Sequence, residues 1–248
     1  MYDFLIRKIR IFINFTIFLF SILLYYLYFP FYFIGLKRVS DYLLESASRV
    51  CLLSMRVEVN IITRTYKDLY PRRKEIHIAN HYSPLDVLIT QGFFKMPCLT
   101  TSHTHLSKIL IGIKFVITKY GHYPLDYKNN NSRILALQNI RRTLCNSRKI
   151  FYYPSGSLIT PITDRFSKSV CFLSKESNAY IIAWYFDYHD SEDVNEAKIR
   201  YDPLKIIISR IRGKKLTINC IEHKIYDPKE YSNPEEMRDD IMKLYKNI

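Results

Sequence analysis

Two side chains suited to acid–base chemistry stand five residues apart in the stretch ANHYSPLDVL: His81 and Asp86. Two readings fit them. In one, Ser83 is a helix N-cap, Pro84 the first helical residue and Asp86 the third, a capping box with Asp for the usual Glu. His81 then only closes a strand. In the other, the same tight turn brings Asp86 beneath the imidazole. A carboxylate on Nδ1–H fixes the tautomer, leaves Nε2 as a base and stabilises the imidazolium that forms on proton uptake. No Ser or Cys nucleophile is needed when such a base acts directly on a hydroxyl. The readings are compatible, since a capped helix can hold a catalytic Asp rigidly.

The flanking pattern says what must position the pair. Lys74 to Asn80 (KEIHIAN) reads as a strand running into His81, and Ser83 to Phe94 as the helix after it. Val57–Thr63, Lys149–Pro154, Ala179–Phe186 and Lys215–Tyr226 read as further strands. Helical spacing covers His105–Tyr120, ending at Gly121, and Ser132–Cys145. Asn233-Pro234-Glu235-Glu236 opens a last helix with acids in its first turn. His189–Lys198 is a charged surface loop. Strands separated by helices predict an α/β fold with a mixed, partly parallel sheet flanked by helices.

The chain has 248 residues, enough for one sizeable core, and a net charge of +14. That surplus suits an anionic partner such as nucleic acid, a membrane face or a phosphorylated substrate. Ile11–Leu36, without a charged residue, decides among them. As a helix it would extend roughly 39 Å, longer than the ~30 Å hydrocarbon core. Arg7, Lys8 and Arg10 precede it, and Lys37 and Arg38 follow. Basic flanks on both sides suit a re-entrant hairpin bent near Pro30; a tilted single span is the alternative. The expected organisation is a membrane segment over residues 1–38 and one α/β domain over residues 39–248. The five cysteines form no C-x-x-C pair, which points away from a disulfide framework or structural zinc and toward a reducing, cytoplasmic side.

Asn80, His81, Ser83 and Asp86 match the block N-H-x-S-x-x-D, and the stretch resembles the H-x4-D motif of the glycerolipid acyltransferase family, the 1-acylglycerol-3-phosphate acyltransferases and their relatives. Two more blocks follow in order. YGHYPLDYKNN (Tyr120–Asn130) is similar to G-x-x-x-[V/I]-D-R through Gly121, Leu125 and Asp126, with Tyr127 in place of the arginine. FYYPSGSLIT (Phe151–Thr160) is similar to F-P-E-G-T-R-S through Tyr153, Pro154, Gly156 and Ser157. There Ser155 replaces the glutamate and Leu158 the arginine. The resemblance implies a membrane enzyme of phospholipid biosynthesis, its catalytic domain facing the cytoplasm. It would transfer a fatty acyl group from acyl-CoA or acyl-carrier protein to a hydroxyl of a lysolipid. His81 would be the general base and Asp86 its orienting partner. Asn80, Ser83, Gly121, Asp126 and the loop Pro154, Ser155, Gly156 and Ser157 would line the acceptor or steady the thioester oxyanion. Gly156 suits a backbone N–H donor to that oxyanion. The family's two arginines are associated with the acceptor phosphate, and neither Tyr nor Leu can replace a forked guanidinium. Lys128, Arg165 or Lys168 would have to supply that charge. No cofactor is expected, since the acyl donor enters as a substrate.

Other candidates carry less. The His-x-His of Ser102–His105 lacks a third and fourth ligand, so no metal is expected. Ser155-Gly156-Ser157 lacks the G-x-S-x-G elbow of a lipid hydrolase. Lys205–Lys215 (KIIISRIRGKK) is either the solvated face of a packed element or a contact for anionic headgroups. Nucleic acid is not expected, because no known binding module is present. The missing arginines keep open a non-catalytic lipid-binding protein on the same fold.

Overall fold

The computed structural model describes residues 2–64, 74–96, 98–99, 130–147, 149–156, 162–164, 166–188 and 203–248. These residues pack into two compact units. The first takes Met1–Asn60, Pro84–Lys95 and Tyr188–Ile218; the second takes Ile61–Ser83, Met96–Asp187 and Asn219–Ile248. The helix expected over His105–Tyr120 and the loop expected over His189–Lys198 lie outside the described residues.

In the first unit α1 runs Tyr2–Phe33 and α2 runs Lys37–Ser54. Pro30 lies inside α1 and does not end it. Proline removes one helical N–H, yet the helix continues, with the Ile34 N–H donating to the Pro30 carbonyl at 3.1 Å. The break comes at Gly35, whose φ of 81° is left-handed. Its N–H bonds the Tyr32 carbonyl at 3.1 Å, and the Leu36 N–H bonds the Phe31 carbonyl at 2.9 Å. This is a Schellman stop, whose left-handed position favours glycine. The chain then reverses and α2 packs back along α1, with Cys51, well along α2, meeting Ser21 of α1.

The face that α2 buries is made of Ser40, Leu44, Ala47, Ser48, Cys51 and Leu52. Small residues at helical spacing let two helices approach closely. The serine hydroxyls are satisfied within α2, Ser40 on Lys37 at 2.8 Å and Ser48 on Leu44 at 3.2 Å. On α1, Phe4–Phe33 is long and apolar enough to cross a membrane, and only 17% of its most apolar window is buried. Phe12 and Phe33 are about 70% exposed. That exposure is not what a core helix of a water-soluble domain shows.

The first unit also holds α3 (Leu85–Ile89), which continues into a π-helical turn over Thr90–Phe94. The Lys95 N–H closes that turn on the Thr90 carbonyl at 3.0 Å. Gly92 lies against α2: a Cβ there would meet Arg49 Cγ at 3.1 Å. Arg49 Nε donates to the Gly92 carbonyl at 2.5 Å, and Lys95 pairs with Glu45 at 3.0 Å. α6 (Pro203–Arg212) is held to α1 by Asn14, whose Nδ2 donates to the Ile211 carbonyl at 3.0 Å. Strand β1 (Val57–Ile62) lies beside the start of β6 (Leu216–Tyr226), where the Leu216 N–H reaches the Arg56 carbonyl at 3.0 Å.

In the second unit the strands lie in the order β6-β5-β2-β4-β3. They are β2 (Glu75–Ala79), β3 (Cys98–Leu99), β4 (Lys149–Tyr152) and β5 (Tyr180–Tyr188), with the body of β6. β2 pairs in parallel with both β4 and β5, and β3 in parallel with β4. The helices are α4 (Asn130–Ser147), α5 (Ser169–Ser177) and α7 (Pro234–Lys246). One sheet face supplies Ile76, Ile78, Ile150, Tyr152, Ile181 and Ala183 to a core closed by Leu144, Val170 and Ile241 from these helices. α7 starts as its sequence predicts: Asn233 Oδ1 accepts from the Glu236 N–H at 2.9 Å, with Pro234 next. The fold is thus the expected α/β one, a mixed sheet flanked by helices and preceded by an apolar helix.

Gly92→Val is expected to lower stability by about 1–3 kcal/mol, because the new side chain is forced into Arg49. A fall in Tm of the detergent-solubilised protein checks this. An unchanged Tm would mean that α2 does not depend on that close approach.

Candidate active site

Alternation along β2 gives its two faces different work. Ile76 and Ile78 enter the core, so Glu75, His77 and Ala79 point to the other side. At the end of the strand Asn80 is fully buried. Its Nδ2 donates to the Phe186 carbonyl at 2.9 Å, and its Oδ1 accepts from the Phe186 N–H at 2.7 Å. The side chain copies a backbone ladder one step beyond the last Cα pair, Ala79 with Trp184. The amide expected to contact the acceptor thus also closes the sheet.

His81 follows and is half-buried. Its imidazole stacks on the Tyr153 ring, with centroids 4.3 Å apart and planes 20° from parallel. Tyr153 is buried and backed by Phe151, 5.2 Å away, which in turn meets Phe186 at 5.9 Å. The parallel register makes this contact possible. It sets His77 beside Phe151, so the residues just past the two strand ends share one face.

Beyond Tyr153 the chain turns sharply. The Gly156 N–H donates to the Tyr153 carbonyl at 3.0 Å, and Gly156 has φ of +61°. The amide expected to face an oxyanion thus closes the turn instead, in the left-handed region that favours glycine. Pro154 and Ser155 are buried, and the Pro154 carbonyl accepts from the Ser167 N–H at 2.9 Å. Tyr152 Oη bonds the hydroxyls of Ser167 and Ser169, each at 3.0 Å. Lys168 is about half exposed and lies 3.8 Å from Glu235, a loose surface pair. Gly121, Asp126, Lys128, Ser157 and Arg165 lie outside the described residues.

Asp86 belongs to the first unit and Ser83 to the second, as does His81. Ser83 is buried. Pro84, not Ser83, stands at the cap of α3, with φ −57° and ψ −20° already helical. That shifts the expected capping box by one residue and makes Asp86 the second helical residue. Asp86 is fully buried. Tyr188 donates its hydroxyl to Asp86 Oδ1, and Thr90 Oγ1 bonds the Asp86 carbonyl at 2.8 Å. Tyr188 was not singled out in the sequence. The available signal was an aromatic at every second position, Trp184, Phe186 and Tyr188.

A buried polar network also lies on the His81 side of β2. His77 Nε2 bonds Glu75 at 3.0 Å, and Lys149 pairs with the same carboxylate oxygen at 2.7 Å. Trp184 Nε1–H donates to His77 Nδ1 at 2.9 Å. Nδ1 must therefore be unprotonated and Nε2–H the donor, which makes His77 neutral. Burial lowers its pKa below 6.5, against the opposing pull of Glu75 and the weaker one of Glu222. For Glu75 burial acts upward, but hydrogen bonds from His77 and Lys149 outweigh it and hold the carboxyl below 4.5.

The acyltransferase family model matches residues 59–186. That is about half of the chain and contains the N-H-x-S-x-x-D stretch, the second block and the FYYPSGS block. The chain belongs to the acyltransferase family. Among solved structures it is similar to the 1-acyl-sn-glycerophosphate (LPA) acyltransferase PlsC from Thermotoga maritima. The match covers 97% of this chain and 95% of that one, with a TM-score of 0.52 and 16% identity. At that identity the two share a fold. No curated protein matches the sequence.

The network predicts acid sensitivity. The unfolded chain binds a proton at His77 more readily than the folded one, so this stability is complete above pH 6.5 and falls below it. Glu75 adds a loss of the same sign below 4.5. Tm should therefore fall between about pH 8 and about pH 5, and His77→Gln, which keeps a donor and an acceptor, should flatten that fall. Equal slopes for the two proteins would contradict the assignment.

Proposed function

We propose that the protein is a membrane-bound O-acyltransferase that moves a fatty acyl group from a thioester, acyl-CoA or acyl-carrier protein, to a hydroxyl of a lysophospholipid. His81 is the general base and Asp86 its orienting partner. Nε2 takes the proton of the acceptor hydroxyl as its oxygen attacks the thioester carbonyl. The tetrahedral intermediate collapses, the carbon–sulfur bond breaks, and the thiolate leaves with the proton returned by the imidazolium. An ester has then formed, a thiol has been released and the base is regenerated. The observation that carries this reading is family membership across the stretch that holds both residues. The fold shared with an enzyme named for 1-acyl-sn-glycerophosphate supports lysophosphatidic acid or a related lysolipid as acceptor.

In this reading Ser83, Gly121, Asp126 and the Pro154–Ser157 turn shape the acceptor site, with Asn80 and Gly156 holding its backbone. Tyr127 and Leu158 stand where the family carries arginines, so phosphate charge falls to Lys128, Arg165 or Lys168. The weak pairing of Lys168 with Glu235 leaves that ammonium able to turn to a ligand. Residues 1–38 embed in the bilayer and hold the domain of residues 39–248 at the cytoplasmic face. Arg7, Lys8, Arg10, Lys37 and Arg38 meet anionic headgroups there.

Two measurements test this. Purified protein given acyl-CoA or acyl-carrier protein with a panel of lysolipids should form the diacyl product, read by mass spectrometry. His81→Ala should lose about 10²–10⁴ in rate. Transfer undiminished in His81→Ala would remove the base assignment, and no transfer to any acceptor would favour a lipid-binding role. In cell membranes the protein should resist high-salt washing and come off only with detergent. Release by salt alone would contradict embedding by α1.

A further inference from the structure

We propose that Tyr153 is a positioning residue for the acyl-transfer base: its ring is the surface that sets the plane of the His81 imidazole. This rests on the reading of His81 as the base. A histidine's terminal torsion is broad and twofold, so its own backbone does not choose the ring plane. His81 also lies beyond the last ladder residue of β2. One hydrogen bond to a ring nitrogen restrains the imidazole along a line and leaves rotation about that line. A ring face 4.3 Å away and 20° from parallel removes that rotation.

Tyr153 is built to serve as such a surface. It is 5% exposed, so it has little room to turn. Phe151 backs it at 5.2 Å. Its backbone is fixed on both sides, by β4 before it and by the Gly156 bond to its carbonyl after it. The turn is anchored again where Ser167 bonds the Pro154 carbonyl at 2.9 Å. The imidazole thus rests on a rigid wall made by a neighbouring parallel strand. When His81 takes up a proton, the cation it becomes lies over an aromatic face, an attractive arrangement. The face and its flatness do this work, while the hydroxyl of Tyr153 is not needed for it.

The test uses the full-length protein in detergent or nanodiscs, with kcat and KM measured for both substrates. Tyr153→Leu should lower kcat by about 10- to 100-fold while each KM stays within about twofold, since misplacing a base harms the chemical step more than binding. Tyr153→Phe, which keeps the flat face, should restore kcat to within about threefold of wild type. The rate at which diethyl pyrocarbonate modifies His81, mapped by mass spectrometry, should rise severalfold in Tyr153→Leu and not in Tyr153→Phe. That readout follows the stack whether or not the enzyme turns over. Should the Leu variant fail to fold, Tyr153→Met, of similar bulk but without a flat face, takes its place. An unchanged kcat in the Leu or Met variant, or a Phe variant as slow as either, overturns the proposal. A rise in KM alone also overturns it, because Tyr153 would then be an acceptor contact. His81→Ala run in parallel separates the two claims. Full activity there removes the base assignment itself, whereas its loss beside a fully active Tyr153→Leu removes only the role of Tyr153.

Discussion

A parallel ladder has to end, and the way β2 ends governs where the next residues of the chain can stand. The Asn80 side chain exchanges two hydrogen bonds with the Phe186 backbone, at 2.7 and 2.9 Å, in a fully buried place. Removing one partner of such a buried pair costs about 1–3 kcal/mol. The lock keeps β2 in register with β5 to its last residue and hands the chain to His81 at a fixed point. Functional residues of open α/β sheets gather just outside the carboxyl ends of parallel strands. Here β2 and β4 deliver His81 and Tyr153 to the same place from adjacent strands.

The two faces of β2 show how burial and polarity are divided. One face is aliphatic and closes the core with α4, α5 and α7. The other carries Glu75 and His77, and polar groups so buried are tolerated only when bonded. Lys149, Glu75, His77 and Trp184 satisfy one another in a chain, with His77 neutral and Glu75 ionised. The same face continues as Phe151 and Tyr153, so the stacked wall beneath His81 stands on a rigid, fully paired base. In the other unit, α3 with its π-helical turn is drawn close to α2 through Gly92 and Arg49, and the Asp86 carboxylate is held by Tyr188. The helix that carries Asp86 is thereby fastened to the hairpin that carries the apolar surface.

Much of this was legible in the sequence, and the rest was hidden for physical reasons. β1, β2, β4, β5, β6, α4 and α7 follow from alternation, apolar spacing and caps, which are local signals. α2 carries its own local signal, since Leu44, Ala47, Cys51 and Leu52 of its buried face recur at helical spacing, and the strand-and-helix reading past Lys37 passes over it. Pro30 suggested a bend, but the stop lies at Gly35, where a left-handed residue can close the helix. The N-H-x-S-x-x-D residues were visible as a motif. That Asn80 serves the sheet and that the Gly156 N–H serves its own turn depend on partners far along the chain or on a backbone angle. Tyr153 was read as a motif match, and only strand register puts its ring against an imidazole.

The central claim, that His81 at the end of β2 is the group that meets the acceptor hydroxyl, can be tested without relying on turnover. A lysolipid with a haloacetamide in place of its acceptor hydroxyl would be incubated with the protein and the alkylated peptide mapped by mass spectrometry. The account predicts label on His81, with labelling suppressed by competing unmodified lysolipid. Label confined to other residues, with His81 untouched while the competitor still protects, would contradict it.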